Sequence, residues 1–372
     1  MNEDKATRYQ RQKRLAAVLA LAWAAVLLAG LAVTGLSASM RDAAERAARP
    51  LASSIRPSAV VFLYVVALSI VNEIGSLPFA LYGSLVLERR YNLSNESIAG
   101  WLGDRAKSLA VGILLGGGGA MIVYACIRSF PDRWWLAAGL LFAFVIVALA
   151  QLAPVLLLPL FYSVKPLARD TLRTRLLALA DRAGARVVGA YEWGLGDKTK
   201  KANAALAGLG ATRRILVSDT MLAEYSDEEI EVVLAHELAH HVHGDIWKQI
   251  VFESGMMLAG FYASSVILRA AAAPLALRGV DDVAGLPVLL VAGGAVSLAL
   301  APLAHAMSRA FERSADSFAL QLTRNPSAFI SAMRRLGAQN LAEDQPSKIV
   351  QWLFYSHPPM RDRIAAAQAF RA

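Results

Sequence analysis

Six apolar stretches limit what this chain can become. Residues 15–36, 59–82, 108–127, 134–158, 251–268 and 286–307 are each close to the length a helix needs to cross a bilayer, about 20 residues. Hydrocarbon offers backbone groups no water to bond, so segments of this kind span as helices. The whole chain is 56% hydrophobic with a mean hydropathy of +0.44, too apolar for an ordinary soluble protein. The first stretch is long enough to span and no cleavage site follows it, so it reads as a span rather than a removed leader. The single cysteine, Cys126, excludes an internal disulfide and any cysteine metal cluster. The net charge of +9 fits loops facing anionic lipid, and no nucleic-acid partner is expected.

Between the spans the chain is uneven. Residues 1–14 carry Lys5, Arg8, Arg11, Lys13 and Arg14, and the 83–107 loop carries Glu88, Arg89 and Arg90 with a helix cap expected at Ser94 or Asn95. The second span contains Glu73, which must face a partner or a wet cavity. Gly116–Gly119 in the third permits close helix packing. Residues 161–249 form the one long stretch of soluble-domain character. An amphipathic helix is expected over 166–182 and strands over 186–193, 202–206 and 214–218. Residues 308–372 are polar and helical, with a break at 356–359. The expected organisation is a membrane region over 1–160, a metallopeptidase region over 161–249, two further spans over 250–307 and a C-terminal catalytic region over 308–372. Lysine and arginine in the loops place the N-terminus and both polar regions in the cytoplasm. The four arginines of 37–56 go against that rule, and a dip of this link into the membrane would turn six spans into seven.

The chemistry is concentrated in SDEEIEVVLAHELAHHVHGD, residues 226–245. Ser226 and Glu229 form a capping box, and Gly244 can end the helix that follows. His236 and His240, four apart, share a helix face and can hold one ion. Glu237 beside them is placed to take a proton from metal-activated water. His241 and His243 point off that face. A catalytic zinc takes three protein ligands and leaves one position open, so a third ligand is required. Glu312 is the best candidate, and Asp316, four residues on, can orient a histidine from behind.

These motifs carry a resemblance. His236-Glu-Leu-Ala-His240, Phe311-Glu312-Arg-Ser-Ala-Asp316 and Tyr355-Ser-His-Pro-Pro359 followed by Arg363 resemble the integral-membrane zinc proteases of the CAAX prenyl protease I type. The stretch from Asn203-Ala204 through Gly208-Leu209-Gly210 to Asp219-Thr220 resembles the segment before that family's zinc helix. The resemblance implies a mainly α, polytopic membrane barrel with an internal chamber and a small α+β metallopeptidase domain. It implies one Zn2+ per chain on His236, His240 and Glu312, with Glu237 as base. It further implies that His357 stabilises the oxyanion, that Asn203 and Ala204 lie on a strand that pairs with substrate, and that Arg363 holds a substrate carbonyl. Two features depart from the family: Ala204 stands where an aromatic residue is common, and the N-terminal segment matches weakly.

The expected function is zinc-dependent endopeptidase cleavage of a peptide or protein substrate near the C-terminus of prenylated or other membrane-associated chains, with membrane lipid as surroundings. The expected place is a bacterial inner membrane with the site facing the cytoplasm. Two alternatives stand beside it: a protease that clears damaged membrane proteins, and a non-catalytic metal-stabilised transporter or scaffold. Glu237 speaks against the last, because a structural metal needs no base.

Overall fold

A computed structural model describes residues 4–208 and 212–371. Leu209, Gly210 and Ala211 of the segment before the metal helix therefore lie outside the described residues. Among the described residues, six helices are long and apolar enough to cross a membrane, as the sequence predicts. They are α1 (Lys5–Val33), α3 (Arg56–Leu81), α5 (Ile98–Ser129), α6 (Trp134–Leu156), α11 (Asp245–Ala272) and α12 (Leu286–Thr323). Each packs on the next, α1 on α3, α3 on α5, α5 on α6, α6 on α11, α11 on α12, and α12 closes on α1. The result is a ring, or barrel. Glycines bring its walls close: a Cβ on Gly117 would collide with Phe62, and one on Gly139 with Leu258. Inside lies a cavity of about 740 Å³ lined mostly by apolar side chains such as Leu68, Phe142, Met256, Phe261 and Leu289.

Glu73 on α3 meets Arg105 on α5, with Oε1 2.9 Å from Nε and 2.5 Å from Nη2. A buried-depth carboxylate is thus answered by a cation on the neighbouring helix. The link after α1 does not cross. Its helix α2 (Leu36–Ala48) has 13 residues, about 20 Å long against a hydrocarbon core of about 30 Å. It lies across the end of the barrel. Ser37, Arg41, Ala44 and Ala48 on one face are buried, and Ser37 bonds Tyr64 at 2.6 Å and the Ala284 carbonyl at 2.6 Å.

The cap of α5 is Ser97, whose Oγ accepts from the Gly100 amide at 2.9 Å. Ser94 and Asn95, the residues expected to cap it, instead reach across to the carbonyls of Lys198 and Gly196. The helix simply starts one turn later than the polar run suggests.

At the other end of the barrel sits the polar domain. It holds α8 (Asp170–Arg182), α10 (Asp227–Val242), α13 (Pro326–Gln339), α14 (Lys348–Phe354), α15 (Met360–Ala369) and a four-stranded sheet. The strands are β1 (Val164–Pro166), β2 (Gly189–Trp193), β3 (Ala204–Ala207) and β4 (Arg214–Ser218), in the order β1-β2-β4-β3. β2 and β4 run parallel, and β1 and β3 add antiparallel at the two edges. The strand expected over 214–218 is found as such, and the other two are shorter than expected. The helix expected from residue 166 begins at Asp170, because Pro166 pairs with Tyr191 in β1. Leu172 and Leu176 of α8, Ile215 and Val217 of β4, Leu234 of α10 and Phe329 of α13 form one core under the metal helix.

The helix α12 joins the two halves. Its 38 residues make about 57 Å, far more than a bilayer crossing. It runs unbroken past residue 307, and its extra turns carry Glu312 and Asp316 into the polar domain.

Candidate active site

The helix α10 starts where the capping box predicts. The Ser226 side chain accepts from the Glu229 amide, and the Glu229 carboxylate accepts from the Ser226 amide at 2.9 Å. This fixes the helix phase so that His236 and His240 face α12. Gly244, with φ of +67°, turns the chain sharply and α11 begins at Asp245.

Glu312 arrives from α12 between the two imidazoles. His236 Nε2 lies 3.2 Å from its Oε2, and His240 Nε2 lies 3.4 Å from its Oε1. One ligand atom from each of the three residues falls within 4.8 Å of the others. Among the described residues, no group makes a well-formed hydrogen bond to the buried Glu312 Oε2, which suits an oxygen that faces a cation. The other ring nitrogens are engaged from behind. His236 Nδ1 is 2.9 Å from Asp316 Oδ1, and His240 Nδ1 is 3.1 Å from Asp245 Oδ2. Each carboxylate fixes the tautomer that leaves Nε2 pointing at the shared centre. Two imidazoles, one carboxylate and a carboxylate behind each imidazole fit a divalent metal of the zinc class.

Burial by itself would push the His236 imidazole down. The carboxylates of Asp316 and Glu312, facing its two ring nitrogens, outweigh it and hold the pKa up to about 9. His240 is raised for the same reason, with Glu312 the main acceptor working against burial. Glu237 is raised above the usual carboxylate range by burial, which exceeds the pull of the two histidines. It lines a cavity of about 250 Å³ together with His240, Glu312, Asp245, Leu206 and Gly208.

The remaining predicted residues fall as follows. His357 sits in the turn between α14 and α15, with Nε2 3.3 Å from Glu312 Oε1 and a side chain 59% exposed. Arg363 is buried. It grips Asp316 with Nε–Oδ2 at 2.8 Å and Nη2–Oδ1 at 2.5 Å, and its Nη2 lies 3.3 Å from His236 Nδ1. Asn203 is exposed at the start of the edge strand, its amide on Ser218 Oγ and its carbonyl accepting from the Ser218 amide. Ala204 is buried in the core opposite Val217, so only its backbone can face a peptide.

Sequence reasoning missed Asp245 as a partner of His240. The signal was there, an aspartate just past the glycine that ends the metal helix, but it reads equally well as a helix-end residue. It also missed Arg14, Glu343 and Tyr355. Arg14 Nη1 meets Glu343 Oε2 at 2.6 Å and the Tyr355 hydroxyl at 2.7 Å, and that hydroxyl donates to Glu343 Oε2 at 2.7 Å. Nothing local marks contacts that span 329 and 341 residues of chain.

Two histidines one turn apart, a glutamate from a second helix and a further buried glutamate beside them, set at the mouth of a helical membrane barrel, define a membrane-embedded metallopeptidase. The model of Peptidase family M48 matches residues 166–371, and that of the CAAX prenyl protease N-terminal region, five membrane helices, matches 2–163. The chain belongs to peptidase family M48. Within 2–163, four of the described helices have spanning length, with α2 lying between the first two. The chain is 30% identical over 309 residues to the uncharacterised metalloprotease YhfN of Bacillus subtilis, covering 82% of this chain and 72% of that one. It is 26% identical to CAAX prenyl protease 1 of Saccharomyces cerevisiae, over 80% of this chain and 70% of the relative. The fold is that of the crystal structure of S. mikatae Ste24p, with a TM-score of 0.84 and 22% identity, covering 98% of this chain and 87% of that one. The chain is therefore an integral-membrane metalloendopeptidase that acts on peptides or proteins, and the transporter or scaffold alternative falls away.

Proposed function

We propose that the metal is zinc, one per chain, and that the enzyme cuts membrane-associated peptides, prenylated ones among them, near their C-terminus. The observation that carries the zinc reading is the convergence of His236 Nε2, His240 Nε2 and the unbonded Glu312 Oε2, each histidine backed by its own carboxylate. When bound there, zinc supplies a Lewis acid that acidifies water and polarises a carbonyl. Glu237 accepts the water proton and returns it to the leaving nitrogen, a role suited to a carboxylate raised by burial. His357, on the exposed side of Glu312, donates to the oxygen that becomes negative. Substrate adds as a further strand to the open edge of β3, with the Asn203 side-chain amide gripping its backbone. Arg363 holds Asp316 through Nε and Nη2 and reaches for a substrate carbonyl with its remaining N–H groups.

Two observations support a lipid-bearing substrate. The apolar barrel cavity and the catalytic cavity lie one turn of α11 apart, where Gln249 of the one donates to Glu253 of the other at 2.9 Å. A curated relative at 26% identity is a CAAX prenyl protease. The site faces the cytoplasm in this reading, on the loop-charge argument.

The test is Glu237→Gln in detergent-purified protein, with a farnesylated peptide and its unprenylated twin as substrates. Zinc stays near one equivalent and turnover falls by a factor of roughly a hundred or more. His236→Ala loses both. Near-normal turnover in the glutamine variant would remove Glu237 as base. Equal kcat/KM on the two peptides would remove the prenyl preference.

A further inference from the structure

At the end of the barrel far from the metal site lies a second basin, about 760 Å³ in volume. Its walls are α2, the first turn of α3, the last turn of α5 and the turn before α12. Six arginines and four acids line it, Arg41, Arg46, Arg49, Arg56, Arg128 and Arg278 against Asp42, Glu45, Asp281 and Asp282. Three of the acids are engaged. Asp282 bonds Arg41 at 2.5 Å, and Asp42 and Glu45 bond Arg278 at 2.9 and 2.6 Å. Arg56 donates to the carbonyls of Arg49 and Leu51. Among the described residues, no carboxylate lies within ion-pair distance of Arg46, Arg49 or Arg128. Pro57, Val60 and Val61 of α3 add an apolar patch to the lining.

Three arginines without a carboxylate partner, two at the end of α2 and one in the last turn of α5, beside an apolar patch, match an amphiphile with an anionic head. Guanidinium groups bind phosphate oxygens through paired N–H donors. We propose that this basin binds a phosphate anion presented at the membrane surface, the headgroup of an anionic lipid. The apolar patch favours a lipid over free phosphate, since an acyl chain continues where the headgroup ends. The proposal does not depend on the identity of the protease substrate. It also accounts for the arginines of 37–56 that the loop-charge rule leaves unexplained.

The turn between α5 and α6 supplies a matched pair for the test. Arg128 lines the basin, while Arg133, exposed five residues on, does not. Binding of phosphatidylglycerol, phosphatidylcholine and inorganic phosphate to the full chain is measured by native mass spectrometry and by thermal shift in detergent. Phosphatidylglycerol binds and raises Tm, and phosphatidylcholine does not. Arg128→Ala weakens phosphatidylglycerol roughly fivefold, and Arg46→Ala/Arg49→Ala/Arg128→Ala abolishes the thermal shift. Arg133→Ala leaves binding as in the wild type. The Tm of each variant without lipid, and its turnover of a soluble peptide, stay at wild-type values, which separates site loss from misfolding. Equal effects of Arg128→Ala and Arg133→Ala, or equal binding of the two lipids, would overturn the site. Inorganic phosphate that binds as tightly as the lipid, with the same dependence on Arg128, would overturn the lipid as its source.

Discussion

Each histidine at the centre turns one nitrogen toward Glu312 and gives the other to an aspartate, and this division sets how the site responds to protons. The Asp316–Arg363 pair is buried, and Arg363 has its own pKa raised although burial opposes it, because Asp316 holds the guanidinium charged. His236 therefore leans on a carboxylate that is itself fixed. Asp316→Ala and Asp245→Asn are each expected to weaken metal about 10-fold to 100-fold, read by competition with a chelator. Asp245 matters as much as Asp316 here, although only Asp316 was legible beforehand. The pair 312/316 sits on one helix at a telling spacing, whereas Asp245 reaches His240 only because Gly244 adopts a left-handed turn. The pH dependence follows from His236. Stripped of metal, its imidazole holds a proton up to about 9, well above the usual 6.5. Metal must displace that proton, so apparent affinity falls about tenfold for each pH unit below 9. The stripped protein behaves in the opposite sense. The raised histidine contributes stability that is fully present below 6.5 and lost as pH rises through about 9. Metal titrations at several pH values, paired with melting curves of the stripped enzyme, check both slopes. A pH-independent metal affinity between 6 and 9 would contradict them.

Among the elements, β3 and α1 act on the site from opposite sides. β3 is an outer strand bonded only to β4, so its far edge can take an extended peptide. Asn203 is exposed at its start, and Asn203→Ala is expected to lower kcat/KM roughly threefold to tenfold with zinc content and Tm unchanged. A loss explained by lower stability would place Asn203 in the turn instead. The helix α1 has a role that no local pattern announced. Its first turns carry Tyr9, Gln10, Lys13 and Arg14. Gln10 bonds the Leu341 carbonyl at 2.7 Å, and Arg14 binds Glu343 and Tyr355. Arg309 of α12 holds the Tyr355 carbonyl at 2.6 Å. The His357 turn, two residues on, is thus braced by a helix from the other end of the chain. On the other flank, Lys201, just before β3, reaches Tyr9 at 2.9 Å and Glu88 at 2.8 Å. Spans, the metal helix and its cap were legible because helical period and capping are local rules. This brace was not, because it joins residues more than 300 positions apart. Arg14→Ala leaves Glu343 buried without its cation, and kcat/KM is expected to fall about tenfold, mainly in kcat, while zinc content holds. Arg14→Lys restores part of the loss. A variant with unchanged kcat and raised KM would assign α1 to substrate binding rather than to the His357 turn.

On the scale of the whole molecule, the even number of spanning helices decides where everything meets. α1 begins and α12 ends at the metal end of the barrel, as the contacts of Arg14 and Glu312 require. The described parts of 161–244, between α6 and α11, lie at that end too, so both halves of the site assemble on one side. The turns at 34–55, 130–133 and 273–285 lie at the other. By loop charge alone, the arginines of 37–56 argue for a different count. In the folded chain α2 is too short to cross, and Arg41 is drawn into ion pairs with Asp282 and Asp42 across the end of the barrel. Charge that is paired, or seated in a basin, no longer reports orientation as free loop charge does. The reading with the metal site in the cytoplasm rests instead on residues 5–14 and the loop at 83–97, and it has a direct test. Single cysteines in a Cys126→Ser background sit at exposed positions, Glu224 and Asp344 in the metal domain and Asp132 at the α5–α6 turn. In intact cells, a membrane-impermeant maleimide labels Asp132→Cys alone, and Glu224→Cys and Asp344→Cys react only after the membrane is opened. Labelling of the two metal-domain positions from outside, with Asp132→Cys protected, would invert the orientation and keep six spans. Labelling of Glu224→Cys and Asp132→Cys from the same side would break the six-helix ring itself.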